Sequence, residues 1–421
     1  MRPPTCGRLH ANMNLELFIS RRISTSPSGR GRSAAERIAV VSVALGVAVM
    51  IITLAVITGF ATEISRRLSG MGAHIVVAPF GSEPLSPTPF GRDASTEEAM
   101  AAIPGIESVR PFVSAGGVIR SEKAMQGFLL KGIEGGYEET FFAEMLSRGE
   151  LPAVGGEQRT KDILISRTTA DLLELSPGDR VETVFLAADG DARRDRYRVT
   201  GIYSTGMDEL EALALTDMRN VARIAGPDAG QISGYEVRLD GFGRIDELTA
   251  RLNDTLAWCG DGTLYARNIV ELNPGIFDWL RTHDVNAAVV IAVMAVVALF
   301  NMATALLIIV LERTRTVGLL KTLGMSDVSL QRVFLYRAAA IALRGILWGN
   351  AAGLALCAVQ RFFKPLRLDS AGYLLSEVPV DVVPWHVILL DLCSLAAIVA
   401  VMALPVRIAS GIKPEKALRY D

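Results

Sequence analysis

The chain has 421 residues, of which 50% are hydrophobic and 21% charged, and it carries a net charge of −2. With a mean hydropathy of +0.33, this composition fits a chain that is part membrane and part soluble domain. The near-neutral balance gives no reason to expect nucleic acid as a partner.

The elements follow in chain order from a basic N-terminal segment, residues 1–37, where seven arginines stand against Glu16 and Glu36. Nothing here resembles a cleavable signal, because the first apolar run starts late and is too long for an h-region. Met13 opens an amphipathic stretch, so it competes with Met1 as the start, and Cys6 has no apolar run beside it to suggest a lipid anchor. Ile38–Thr62 is uncharged over 25 residues, beyond the roughly 20 needed to span hydrocarbon. Ser33 and Glu36 form a capping-box pattern before it, so the helix is expected to run from there to Ser69, with Gly70 just past its end.

Residues 63–284 form a large insert of mixed pattern. Strands are expected around 74–79, 108–113, 127–133, 196–203 and 235–239, and helices at 96–103, 167–175, 217–224 and 245–257. The mixture implies an α+β domain with its own core. Cys259 is its one cysteine, so no disulfide can form within it. Asn273 and Pro274 read as the cap and first residue of a helix, with Ile276, Leu280, His283 and Ala287 at helical spacing toward the next apolar run. The insert thus sits on two helical stalks, which either transmit movement or serve as supports.

Val285–Leu311 is a second span, uncharged over 27 residues. The link 312–337 follows, then a third span, 338–360, interrupted by Arg344, a short loop 361–383, and a fourth span, 384–404, with His386 and Asp391 near one end. The tail 405–421 adds Arg407, Lys413, Lys416 and Arg419. Basic residues concentrate in the N-terminal segment, the link and the tail, so both termini and the link are expected in the cytoplasm and the insert outside it. In the link, Thr316, Leu319, Leu320 and Leu323 share a helical face, which suits either docking to a soluble partner or lying in the membrane interface. Gly345, Gly349 and Gly353 repeat at four-residue spacing and allow a second helix to pack closely. Arg344 is expected to snorkel to the interface, and Asn301 and Asn350 to bond either between helices or to their own backbone.

No Gly-x-x-x-x-Gly-Lys-Ser/Thr loop occurs, so ATP hydrolysis would belong to another polypeptide. His10, His74, His283 and His386 are scattered without metal-ligand spacing, and there is no nucleophile elbow. No catalytic, cofactor or metal residue is assigned.

Glu312-Arg313-Thr314-Arg315-Thr316-Val317-Gly318-Leu319-Leu320-Lys321-Thr322-Leu323-Gly324-Met325 resembles the E-R-T-R-E-I-G-I-L-K-A-L-G segment of FtsX-like ABC permeases. The ending, with Pro405, Ala409 and Lys413-Pro414-Glu415-Lys416-Ala417-Leu418-Arg419-Tyr420, is similar to that family's P-x-x-x-A and P-x-E-A-L-R-Y. Ile57-Thr58-Gly59-Phe60 looks like the N-G-F of the lipoprotein-releasing branch, with Thr58 in place of Asn. The resemblance implies an inner-membrane permease with four transmembrane helices and an α+β extracytoplasmic domain between helices 1 and 2. It implies pairing with a second permease chain, as homodimer or heterodimer, and with a separate ABC ATPase. Glu312, Arg313, Arg315, Gly318, Lys321 and Gly324 would form the coupling helix. Lipoprotein cargo would pass to a periplasmic carrier; the alternatives are a mechanotransmitting permease that activates cell-wall hydrolases, or an efflux-type exporter subunit.

Overall fold

A long apolar run without proline can satisfy its backbone in lipid only as a helix, and α1 (Ala34–Met71) takes in all of the first one. The computed structural model describes residues 34–410 except 84–87, 122–123, 138, 187–190, 208–209, 226–229, 260–261, 313, 369–374 and 376. Cys6, His10 and Met13 lie outside the described residues.

After α1 come β1 (Ile75–Pro79), β2 (Phe90–Gly91), α2 (Ala94–Ala101), β3 (Ile106–Arg120), β4 (Met125–Ile133), α3 (Glu139–Met145) and β5 (Leu146–Gly149). Next are β6 (Asp162–Ser166), α4 (Arg167–Leu173), β7 (Arg180–Leu186), β8 (Ala192–Tyr203), β9 (Leu213–Asp217) and α5 (Met218–Ala225). Then follow β10 (Gln231–Ile232), β11 (Gly234–Leu239), α6 (Ile245–Cys259), β12 (Leu264–Asn268) and α7 (Ile269–Leu272). The last helices are α8 (Pro274–Glu312), α9 (Thr314–Thr322), α10 (Asp327–Phe363) and α11 (Pro384–Ser410). Among the described residues, α1, α8, α10 and α11 are long and apolar enough to cross a membrane.

The chain divides into two units, one of Ala61–Leu280 with Leu366–Val378, the other of the chain before it, Arg281–Pro365 and the chain from Pro379 onward. In the first unit a ten-stranded sheet runs β12-β1-β11-β3-β4-β9-β6-β8-β5, with β7 joined to β3 and β8. Most pairs are antiparallel; β4 with β9 and β6 with β8 are parallel. All five expected strands and four expected helices are present, displaced by a few residues. The unexpected β6 and β9 are five-residue runs buried almost throughout. Such runs lack the alternation that marks a strand with one wet face.

Gly70 does not end α1, which continues to Met71. A Cβ at Gly70 would stand 2.4 Å from the Phe141 ring, so the glycine is there for close packing rather than for a left-handed cap. Met71 then joins Tyr137, Phe141, Phe142, Leu164, Tyr203 and Leu215 in a buried cluster.

In the second unit the core is made by Val43, Val47 and Ile51 of α1, Met302 of α8, Phe334, Ala338 and Ile341 of α10, and Ile398 and Met402 of α11. α10 starts at Asp327, well before Ala338, because the Ser326 hydroxyl accepts the Ser329 N–H at 3.2 Å and caps its first turn. The non-helical part of the 312–337 link is correspondingly short.

Candidate functional site

α9 and its flanks occupy the link. Lys321 Nζ lies 2.7 Å from Asp327 Oδ1, tying the end of α9 to the start of α10. Gly324 has φ +91°, a left-handed conformation that favours glycine. It closes α9 as its N–H donates to the Lys321 carbonyl at 3.0 Å and the Met325 N–H donates to that of Leu320. Leu320 and Met325 pack on the apolar core of their unit, while Leu319 and Leu323 are 56% and 76% exposed. The apolar face expected from the sequence is therefore split, and two leucines one turn apart are left facing outward. Gly318 is buried. Glu312 ends α8 and Arg315 lies in α9; Arg313 lies outside the described residues.

Behind the link, Glu36 of α1 is 2% exposed and meets two arginines of α10. Arg337 Nη2 donates to Glu36 Oε2 at 3.2 Å, and Arg344 Nη1 donates to Oε1 at 2.9 Å. Arg344 therefore does not simply snorkel: it completes an ion triad whose carboxylate is out of water. Farther along the same pair of helices, the three α10 glycines lie on α1. A Cβ at Gly345 would come 2.6 Å from Val43 Cβ, one at Gly349 2.8 Å from the Ala44 carbonyl oxygen, and one at Gly353 3.2 Å from Ala48 Cα. Asn350 Nδ2 donates to Asp391 Oδ2 of α11 at 2.5 Å, and Asn301 is exposed.

The Ile57–Phe60 segment is fastened to the strap leading into α11. The Asp381 N–H donates to the Ala55 carbonyl at 3.0 Å, and the Thr58 hydroxyl is 2.7 Å from the Asp381 carbonyl oxygen. At Gly59 a Cβ would stand 2.5 Å from the Pro379 carbonyl oxygen, so only glycine admits the strap.

The last turns of α1 and the first turns of α8 belong to the strand-bearing unit. Ile64, Leu68 and Met71 of α1 are buried there, as are Ile276 and Leu280 of α8. Phe277 stacks on Phe242 with ring centroids 6.2 Å apart. Asn273 does not cap α8 with its side chain; its amide donates back to the Ile269 carbonyl at 3.0 Å. His283, on the expected apolar face, is exposed.

Lys131, near the end of β4, is a residue to which the sequence pattern assigns no role. Its ammonium donates to the Met71 carbonyl at 3.1 Å and to the Tyr137 hydroxyl at 2.7 Å, and pairs with Glu236 of β11. A cation thus sits on the C-terminal end of α1, where the helix dipole favours it. Burial pushes the Lys131 ammonium below its ordinary range, and Glu236 pulls it back. The signal was a lysine inside the apolar run Phe128-Leu129-Leu130-Lys131-Gly132-Ile133; a buried lysine needs a carboxylate and acceptors.

Among the described residues no group of three or more His, Cys, Asp or Glu is arranged to hold a metal.

Four membrane-length helices together with a strand-rich unit between the first two in chain order make this a polytopic membrane protein with an inserted domain. Residues 38–255 match the MacB-like periplasmic core domain and residues 288–414 the FtsX-like permease C-terminal family. The chain belongs to the proteins with a MacB-like periplasmic core domain, whose match covers just over half of it, and its C-terminal part matches the FtsX-like permeases. It is similar to the lipoprotein-releasing system transmembrane protein LolC of Xylella fastidiosa, 24% identical over 91% of this chain and 93% of that one. LolC of Neisseria meningitidis is 23% identical over 97% and 100%, and LolE of Haemophilus influenzae 23% over 82% of each.

Proposed function

We propose that the chain is the permease subunit of an ABC transporter that releases lipoproteins from the bacterial inner membrane toward a periplasmic carrier. The observation that carries this reading is the likeness to lipoprotein-releasing transmembrane proteins over almost the full length of both chains. In this reading both termini and the link are cytoplasmic, and the strand-bearing unit stands in the periplasm. A second permease chain and a separate ATPase complete the complex, and no chemistry is performed by this chain.

Glu312, Arg313, Arg315, Gly318, Lys321 and Gly324 form the coupling element, and the outward Leu319 and Leu323 seat in a groove of the ATPase. Closure of the ATPase moves α9; the Lys321–Asp327 pair and the Glu36 triad pass the movement to α10 and α1. Gly345, Gly349 and Gly353 hold α10 against α1 during that movement. Because α1 is a single helix from Ala34 to Met71, with Lys131 and Phe141 packed on its C-terminal end, displacement is carried along it.

The MacB-like core match also supports a second reading, an efflux-type exporter subunit whose outer domain engages an adaptor. The test is to deplete the chain in its native cell and follow an acyl-labelled outer-membrane lipoprotein between the two membranes. Retention in the inner membrane is expected; normal sorting would overturn lipoprotein release and favour the efflux reading or a permease that activates cell-wall hydrolases.

A further inference from the structure

The strand-bearing unit contains a cleft of about 560 Å³, within the size range of small-molecule sites. Leu68 and Met71 of α1, Phe112 of β3, Leu129 of β4, Leu213 of β9 and Leu272 of α7 line it. Two of its walls are thus the end of α1, which carries the movement in the proposed function, and the segment entering α8.

The buried polar groups of the lining already have partners. Lys131 has three N–H donors, and all are spent, on Met71, Tyr137 and Glu236. The second oxygen of Glu236 accepts the Tyr137 hydroxyl at 3.0 Å. Ser233 Oγ accepts the Ser114 N–H at 2.9 Å. A guest placing a donor or acceptor against these walls would lose its water without gaining a partner, whereas a hydrocarbon loses nothing. Charge that remains open to solvent lies with Glu83 and Glu271, which are exposed, and with Arg267, held to the Ser82 carbonyl at 2.9 Å. An apolar interior with a charged margin matches a hydrocarbon chain whose polar end stays wet.

We infer that this cleft receives an acyl chain of a lipid-modified protein, an inference that rests on the lipoprotein-release reading. Leu68 and Met71 belong to α1, so the motion that drives release would alter this wall of the cleft.

The test uses the full chain, purified with its partners and placed in lipid nanodiscs, and a palmitoyl lipopeptide with a diazirine on the chain. A phosphatidylethanolamine bearing the same diazirine chain serves as the second probe. After irradiation, lipopeptide adducts are expected within residues 68–76, 112–114, 129–131, 210–213 and 269–273. Ala212 is exposed and lines the cleft, so Ala212→Trp fills the space without opening the core. This variant should lower the adducts at least roughly tenfold, the loss expected when a few methylenes are denied burial. Lipopeptide adducts confined to α1, α8, α10 and α11 between residues 38–60 and 285–402 would overturn the cleft while leaving lipoprotein release standing. Equal labelling of the cleft by the phospholipid, undiminished when excess lipopeptide is added, would overturn the assignment to a lipid-modified protein. Cleft adducts together with normal lipoprotein sorting on depletion would uphold acyl binding and remove the release reading.

Discussion

His74, just before β1, accepts the Leu239 N–H on Nδ1 at 3.2 Å, which requires that nitrogen to be unprotonated. Burial, with Arg238 nearby, lowers its pKa to about 4, against about 6.5 in an unfolded chain. The unfolded state therefore binds the proton first as pH falls, and stability is lost between about pH 6.5 and about pH 4 while being fully present above 6.5. For a half-buried group the loss should be about 1–2 kcal/mol once solvent screening is allowed for. Thermal unfolding of the strand-bearing unit in the full chain, followed from pH 7 to 4, should show this slope. His74→Asn, which keeps an acceptor, should flatten it; an unchanged slope would show that other groups govern it. Lys131 gives a second prediction at this scale. Lys131→Met leaves Glu236 buried without its cation and uncaps α1, and should destabilise by about 3–5 kcal/mol. Adding Glu236→Gln should recover part of that loss in a thermal unfolding series. A lysine in an apolar run marked this position as unusual, but its partners at Met71 and Glu236 come from distant segments with no local trace.

At the scale of elements, the α1–α10 contact depends on absent side chains. Gly349→Val drives a branched side chain into the Ala44 carbonyl and Val47, and should destabilise by about 1–3 kcal/mol, read as a lower melting temperature in detergent. Unchanged melting would mean that the helices shift apart freely. Gly59→Ala meets the Pro379 backbone, which is less able to yield than a side chain, so it should release the strap and raise protease sensitivity at residues 379–383. The four-residue glycine spacing was legible as a packing face, since small residues at that interval can hardly do otherwise in an apolar helix. That the partner is α1 was not, because every apolar helix presents a similar surface. Arg344 shows the same limit. Its cost in lipid was plain, whereas its remedy was Glu36, far away in the chain.

For the whole molecule, the prediction concerns transmission. Leu319→Asp with Leu323→Asp leaves the inward packing of Leu320 and Met325 untouched and, under the proposed coupling role, should weaken retention of an ATPase partner by at least about tenfold; unchanged retention would overturn that role for the two leucines. Arg313→Glu with Arg315→Glu should separate ATP hydrolysis from lipoprotein release, measured as hydrolysis without transfer in reconstituted membranes; normal transfer would count against the coupling role. Four membrane-length helices and a mixed insert were determined by the sequence alone, because the bilayer's thickness and its lack of water make spanning a local property of length and polarity. The small link helix was local as well. Only the tertiary structure decided which residues answer one another: Glu36 with two arginines, Lys131 with the end of α1, Gly59 with the strap, and the apolar walls of the cleft. Each of these joins segments remote in sequence, and side-chain pattern within one element records that a partner is needed without recording which one folding will bring.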